Sequence, residues 1–459
     1  MSRVSLILSD EVNDRLQSLS RLEIETGAVL LTRPVVGADG SLRLLARELF
    51  EVPDHAYKVR ESRSLSITSD GYVPALSKAE STRTIPIWLH THPGDASNPS
   101  MSRHDAIVNE QLTDLFRLRA NSEYYGAVVV SHAGADLTFT GFLDDGGSRR
   151  EIDRIVSVGD RLSIVWNHNS EHATELELFD RNIRAFGGDI QHAISDLRIA
   201  IVGTGGTGSA VAEQLVRLGA RNIDLYDPDI LSLSNVTRVY GSTPDQVGVK
   251  KVDVVGDHLQ AIASDVNITR TADVITSEEV AKHLAEADLI FGCTDDNAGR
   301  MVLSRLPTFA LVPVIDCGVL LSSDANQKLS GIDGRVTIVL PGSACLICRG
   351  RIDLRRAAAE RMSAEEHERL AGEGYAPALA GVEPAVVTYT TAVAAAAVAE
   401  LIERLVGYGP EPVPNELILR LHEREISTNR ALPKPGHYCA KDSGKLALGI
   451  TEPFLETTW

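Results

Sequence analysis

Arg198-Ile199-Ala200-Ile201-Val202, then Gly203-Thr204-Gly205-Gly206-Thr207-Gly208, contains the pattern from which the architecture is inferred. The apolar run reads as a buried strand, and the turn after it opens a helix over Ser209–Leu218. Small residues in such a turn let backbone N–H groups and a helix N-terminus approach phosphate. A second strand, Asn222–Tyr226, ends at Asp227, roughly 20 residues past the turn, where an acid typically meets ribose hydroxyls. Leu289–Gly292 and Val312–Ile315 read as further buried strands, with helices between, and Thr391–Leu405 as a long alanine-rich helix. Apolar strands alternating with helices predict a parallel, doubly wound α/β sheet.

The residues beyond the turn narrow the chemistry. Ser234-Asn235-Val236-Thr237-Arg238 comes soon after Asp227, then Lys250-Lys251, then Cys293-Thr294-Asp295-Asp296-Asn297 with Arg300. A dehydrogenase has no use for Asn, Arg, Lys and a metal-binding Asp converging on a phosphate tail. Nucleotidyl transfer does, because charge developing on the leaving pyrophosphate must be neutralised by cations and magnesium. From about Leu178 to Cys439 the sequence resembles the ubiquitin-activating superfamily, including the adenylyltransferases of thiamine and molybdopterin biosynthesis. The resemblance implies a Rossmann-like domain that binds ATP and Mg2+. Gly203, Gly205, Gly206 and Gly208 would cradle the nucleotide and Asp227 would bind ribose. Asn235, Arg238 and Lys251 would hold the phosphates and Asp295 the magnesium, with Lys250 and Asp296 as the neighbouring alternatives. Arg181 matches the arginine that family homodimers insert into the neighbour's site, so a homodimer is expected.

Cys345-x-x-Cys348 is half of a structural zinc site. The family usually supplies a second Cys-x-x-Cys near its end, where this sequence reads Pro435-Gly436-His437-Tyr438-Cys439. Imidazole and thiolate both suit tetrahedral zinc, so His437 and Cys439 could complete the set. Thioester-forming members carry a cysteine in the crossover loop. Here that stretch, Gly374 through Pro384, has none, which favours attack by another protein's thiol or a sulfur donor.

Upstream, residues 1–150 change character. A helix is expected over Asp10–Leu19, strands over Ala28–Leu31, Ser64–Thr68, Ile85–His90, Gly126–Ser131 and Leu137–Phe142, and a polar helix near Arg103–Arg119, giving an α+β domain. Residues 151–177 are charged and helix-permissive and read as a linker or packing helix. Residues 178–459 form the second domain.

In Trp88-Leu89-His90-Thr91-His92-Pro93, residues two apart on a strand face one side, so both imidazoles can bind one metal. Asp105, in Ser102-Arg103-His104-Asp105, supplies a carboxylate, leaving a fourth zinc position for water. Ser102-x-x-Asp105 also reads as a helix N-cap with an acid in the first turn. Glu25, just before a core strand, supplies the base a hydrolytic site needs. These residues resemble the JAB/MPN (JAMM) zinc isopeptidases, with the His–Asp gap about two residues longer than usual. The resemblance implies that Glu25 is the general base and that His90, His92 and Asp105 hold Zn2+. It also implies that Ser102, or alternatively Ser100, stabilises the oxyanion.

Both halves then act on one object, the C-terminal glycine of a ubiquitin-like (β-grasp) protein: one cuts after it, the other adenylates it. Sulfur-carrier activation with adduct cleavage is the alternative, and a non-catalytic scaffold a third reading. A conjugating enzyme or sulfur donor would be a further partner. The chain has 45 Lys and Arg against 63 Asp and Glu, a net charge of −18, which disfavours nucleic acid. No apolar segment is long enough for a membrane span, and the short apolar run in Met1–Asp10 predicts no secretory leader. Five cysteines spread over 459 residues suit a reducing cytoplasm.

Overall fold

In the strand Gly27–Val36, Ala28 and Leu30 join one apolar core while Val29 and Leu31 join another. This is how a strand covered on both faces behaves, and it sets the plan of the first half of the molecule. The computed structural model describes residues 3–167, 177–324, 326, 328–362, 365–366 and 385–459. They divide into two units, Met1–His172 with Leu446–Thr451, and Ala173–Lys445 with Glu452–Trp459.

The first unit runs β1 (Val4–Ser9), α1 (Asp10–Ser20), β2 (Gly27–Val36), β3 (Leu42–Glu51), the ribbon β4 (Tyr57–Glu61) and β5 (Ser64–Ile67), α2 (Val73–Thr82), β6 (Ile85–Asp95), α3 (Arg103–Ala120), β7 (Tyr125–Ala133), β8 (Asp136–Asp144), β9 (Arg149–Glu151), β10 (Arg154–Val158) and β11 (Leu162–Trp166). Nine of these strands form one sheet in the order β11-β10-β1-β3-β2-β6-β7-β8-β9. Leu16 of α1 closes the core on one face; Ala75, Leu76 and Ala79 of α2 and Phe116 and Ala120 of α3 close the other.

The reading of residues 151–177 as a linker or packing helix is corrected by the fold. Arg154–Val158 is a fully buried strand parallel to β1, and β11 pairs antiparallel beyond it. The charge that disguised it is internal: Arg154 is buried, and its Nε donates to Ser5 Oγ at 3.0 Å. The expected packing segment up to residue 177 lies partly outside the described residues, which omit 168–176.

The second unit continues with α4 (Asp180–Phe186), α5 (Gly188–Asp196), β12 (Arg198–Val202), α6 (Gly206–Arg217), β13 (Asn222–Tyr226), α7 (Lys251–Ile262), β14 (Asn267–Thr271), α8 (Glu278–Leu284), β15 (Leu289–Gly292), α9 (Asn297–Ala310), β16 (Val314–Ser323), β17 (Leu329–Val339), α10 (Leu354–Glu360), α11 (Val387–Val406), β18 (Glu416–Arg420) and β19 (Glu425–Asn429). The sheet order is β14-β13-β12-β15-β16-β17-β18-β19. The first five strands are mutually parallel, as expected of a doubly wound fold. The last three extend it antiparallel, which the expectation of a purely parallel sheet did not include. The alanine-rich helix α11 packs closely on this extension: a Cβ on Gly334 of β17 would lie 2.5 Å from Val393 Cγ2.

Glu416 holds the extension together. Its buried carboxylate accepts from Thr337 Oγ1 on β17 (2.9 Å), Asn429 Nδ2 on β19 (2.6 Å) and Arg351 Nε (3.0 Å). Burial alone would raise its pKa, but these donors outweigh it and hold the acid down from 4.5 to about 2. A depressed acid stabilises the fold above its unfolded pKa, and that contribution is lost as pH falls through the folded value. Denaturant unfolding should therefore show stability falling between pH 4.5 and about 2, with a shallower slope in Glu416→Gln.

Candidate functional site

Two reciprocal contacts align the start of β2 with the middle of β6. Thr91 N–H donates to Thr26 O, and Thr26 N–H donates to Thr91 Oγ1, both at 2.9 Å. Gly27 pairs with His90 and has room only because it lacks a side chain: a Cβ there would meet the Trp88 ring at 2.7 Å. Along β6, Ile85, Ile87 and Leu89 enter the core beneath α1, so Trp88, His90 and His92 face α3. There Asp105 arrives on the first turn of α3. Ser102 caps that helix, accepting from Asp105 N–H at 3.1 Å, while its own N–H donates to Asp105 Oδ2 at 2.6 Å.

The donor atoms converge. His90 Nε2 lies 3.3 Å from Asp105 Oδ1, and His92 Nε2 lies 3.4 Å from Asp105 Oδ2. Donors about 2.1 Å from a tetrahedral ion lie about 3.4 Å from one another, so the set has the dimensions of a zinc site. Both ring nitrogens of His90 are buried without a hydrogen-bond partner, which a metal at Nε2 would relieve for that atom. Burial works to raise the Asp105 acid, but the two imidazoles and Ser102 hold it well below the usual carboxylate range. Glu25 sits at the head of β2, 9% exposed, its backbone pinned by a bond from its N–H to Glu61 O. Burial pushes the Glu25 acid up, against the pull of His90 and His92. Ser100 is exposed in the preceding loop.

In the second unit a cavity of about 1110 Å3 opens where β12, β13 and β15 end. Gly203, Gly205, Gly206, Asp227, Arg238, Lys251, Asp295 and Asp296 all line it. Gly203 has φ +88°, and a Cβ on it would lie 2.7 Å from Cys293 O. Gly208 lies behind the turn: its Cβ would overlap Gly203 O. Asp227 Oδ2 accepts from Thr204 N–H at 2.7 Å, and Lys251 Nζ bridges Asp229 Oδ2 (2.7 Å) and Asp227 Oδ1 (3.9 Å). Burial pushes the Asp227 acid up, against the pull of Lys251. Asp296 caps α9 through Gly299 N–H and takes the Thr294 hydroxyl, which leaves Asp295 as the carboxylate free of capping duty.

Besides Gly208, the expected phosphate contact Asn235 and its neighbouring alternative Lys250 are not in the wall. Asn235 caps its own short helical turn, its Oδ1 accepting from Ser232 N–H at 3.1 Å. Lys250 is the N-cap residue of α7. Arg181 is exposed on α4. The crossover stretch Gly374–Pro384 lies outside the described residues. The wall also contains arginines that the sequence reading did not single out, Arg335, Arg351, Arg356 and Arg420. All but Arg356 lie on or beside the unforeseen antiparallel extension.

The chain matches the ThiF family over residues 179–440, more than half its length. It belongs to the ThiF family. Its second unit is a ThiF-type, Rossmann-like adenylyltransferase domain. The molybdopterin-synthase adenylyltransferase of Escherichia coli (strain K12) is 33% identical over 182 residues, covering 39% of this chain and 69% of that one. The ubiquitin-like modifier-activating enzyme 5 of Oryza sativa subsp. japonica is 32% identical over 174 residues, 35% of this chain and 39% of the relative. The ThiF-family chain therefore spans about two-fifths of that second relative's length. Among solved structures, E. coli MccB with AMPCPP and MccA gives a TM-score of 0.46 at 18% identity, covering 57% of this chain and 74% of that one. No helix among the described residues is long and apolar enough to cross a membrane.

A second donor set lies in this ThiF-type unit. Cys345 Sγ is 3.5 Å from His437 Nδ1, which is 3.2 Å from Cys439 Sγ; Cys439 and Cys348 are 3.6 Å apart. Four donors about 2.3 Å from a tetrahedral zinc would be about 3.7 Å apart, so three thiols and one imidazole fit the ion. The Cys439 thiol draws Cys345 toward the thiolate, and Lys434 N–H points at Cys348 Sγ at 3.4 Å. If the site is structural, Cys348→Ser should lower zinc content by one ion per chain and the Tm by several degrees. Elemental analysis beside a thermal melt checks both.

Proposed function

We propose that the chain is a bifunctional enzyme acting on the C-terminus of a ubiquitin-like protein. Its second unit adenylates the terminal carboxylate with ATP and Mg2+; its first is a JAB/MPN-type zinc (iso)peptidase that trims or removes the same protein. The observation that carries the adenylation reading is the convergence of the glycine turn, Asp227, Arg238, Lys251 and Asp295 on one cavity. In that step a carboxylate oxygen attacks the α-phosphorus, the bond to the β-phosphate bridge breaks, and pyrophosphate leaves. Arg238 and Lys251 neutralise the charge that builds on it, and Asp295 would hold Mg2+. Asp227 would take the ribose hydroxyls.

For the peptidase, His90, His92 and Asp105 would hold Zn2+, which when bound polarises the scissile carbonyl and the attacking water. Glu25 takes the proton from that water and returns it to the leaving nitrogen. Ser102, whose hydroxyl oxygen accepts from Asp105 N–H, keeps its O–H free to meet the developing oxyanion. Cys345, Cys348, His437 and Cys439 would bind a structural zinc. In a homodimer, the exposed Arg181 would reach the cavity of a second copy. The acceptor of the acyl group would be a conjugating enzyme's thiol or a sulfur donor, in a reducing cytoplasm.

The E. coli relative's name favours a second reading, activation of a sulfur carrier with later adduct cleavage. An intact-mass spectrum tests both readings. A ubiquitin-like precursor is incubated with zinc-loaded enzyme, magnesium and ATP. Loss of residues after a glycine, plus an adenylate on the shortened form, is the expected result. Adenylate without trimming would restrict the first unit to conjugate or adduct cleavage. Neither change, with silent pyrophosphate exchange, would leave only a scaffold.

A further inference from the structure

Asp316 on β16 is fully buried and clamped by two guanidinium groups. Arg300 Nε reaches its Oδ1 at 3.2 Å, and Arg335 Nη2 reaches its Oδ2 at 2.6 Å. One carboxylate thus bridges two cations, and Asp295 and Asp296 also act on Arg300 from the cavity wall. Asp296 is also hydrogen-bonded as the cap of α9. Arg335 Nε is buried with no hydrogen-bond partner at all.

The space these cations face is defined by a missing side chain. Gly318 follows Cys317 on β16 and pairs with Arg335 on β17. A Cβ on Gly318 would lie 3.3 Å from Arg335 Nη2 and 3.8 Å from Arg300 Nη2. Each Nη2 carries two N–H groups. One on Arg335 is used by Asp316 and one on Arg300 by Cys317 O, at 3.3 Å, so each retains a donor. Gly318, Arg300, Arg335 and Asp295 all line the nucleotide cavity, which continues past them over Val319, Leu320 and Ile418.

We propose that Arg300, Arg335 and Gly318 form the seat for the substrate's terminal carboxylate, with Asp316 holding the two guanidinium groups in place. The seat rests on the adenylation reading, and it adds where the reacting carboxylate is held and what it is told apart by. The two oxygens of a free acid can accept from both remaining Nη2 donors; an amide or ester of the same chain offers one carbonyl oxygen and no charge, so the unit selects chains with a bare C-terminus. Arg238, Lys251 and the α6 N-terminus lie at the β12–β13 side of the cavity and serve the phosphates. The Arg300–Arg335 pair lies across it, at β16 and β17.

The test uses the full chain with 15N-labelled arginine and two probes, N-acetylglycylglycine and its C-terminal amide. The acid should shift the Nε–H resonance of Arg335, assigned by its loss in Arg335→Lys, and the amide should not. Gly318→Val fills the space without changing a charge, so it guards against a misfolded arginine variant. It should remove the shift and cut pyrophosphate exchange with the acid by about 10²-fold, leaving affinity for a non-hydrolysable ATP analogue unchanged. The seat is overturned if the acid produces no shift, if pyrophosphate shifts Arg335 and the acid does not, or if Gly318→Val exchanges normally. A shift with no exchange in the parent protein would keep the seat and remove the adenylation reading.

Discussion

Glu25→Gln is expected to lower zinc-dependent cleavage by about 10²- to 10⁴-fold, the usual weight of a positioned general base. Zinc content should not change, since His90, His92 and Asp105 are untouched. The size of the effect follows from how firmly the backbone that carries the carboxyl is held. Thr26 is bonded to Thr91 in both directions, Glu25 N–H is bound to Glu61 O, and Arg60 Nε donates to Glu25 O at 3.3 Å. Asp105, whose charge also acts on Glu25, is itself occupied by two imidazoles and the Ser102 N–H. Glutamine keeps the shape and loses only the ability to take a proton. Cleavage of a ubiquitin-like fusion, followed by mass spectrometry beside elemental analysis, separates this from loss of metal. Unchanged cleavage would assign the proton transfer elsewhere.

Asp295→Asn is expected to reduce ATP–pyrophosphate exchange by about 10³-fold, because the proposed magnesium ligand would be lost and Arg238 and Lys251 left to balance the phosphate tail alone. Metal-free nucleotide binding should persist, since the glycine turn and Asp227 are intact. Asp296→Asn makes the contrast. That residue caps α9, so its replacement should show first in a thermal melt, at about 1 kcal/mol. Equal losses of exchange from both substitutions would assign the metal to the pair rather than to Asp295.

The parts of the molecule that sequence could reveal are those where local chemistry admits few residue types. Gly203 needs a positive φ and Gly208 an absent side chain, so the turn announces itself. His90 and His92 are two apart on a strand, and period two alone puts them on one side. Ser102 and Asp105 read as a cap and are one. Asn235 shows the opposite case: its place after Asp227 suggested phosphate, yet its side chain is spent on a local turn. Arg154 and Arg335 look like solvent-facing charges because their hydrogen-bond acceptors, Ser5 and Asp316, are contributed by other strands. The same non-local pairing hid β10 and the antiparallel strands β17–β19. Nothing in a single sequence marks a buried guanidinium as paired.

The position of β1 has a consequence for the order of synthesis. Val4–Ser9 lies between β3 and β10 and is parallel to both, its register with β10 running from Ser5–Arg154 to Ser9–Val158. Once synthesised, β1 therefore waits for about 150 further residues before its second edge is covered. Contacts so distant along the chain form slowly, and until they do an apolar strand edge stands open to other nascent chains. A fragment stopped at residue 150 would freeze that state. The nascent first unit is thus a predicted client for a chaperone until Trp166 has emerged.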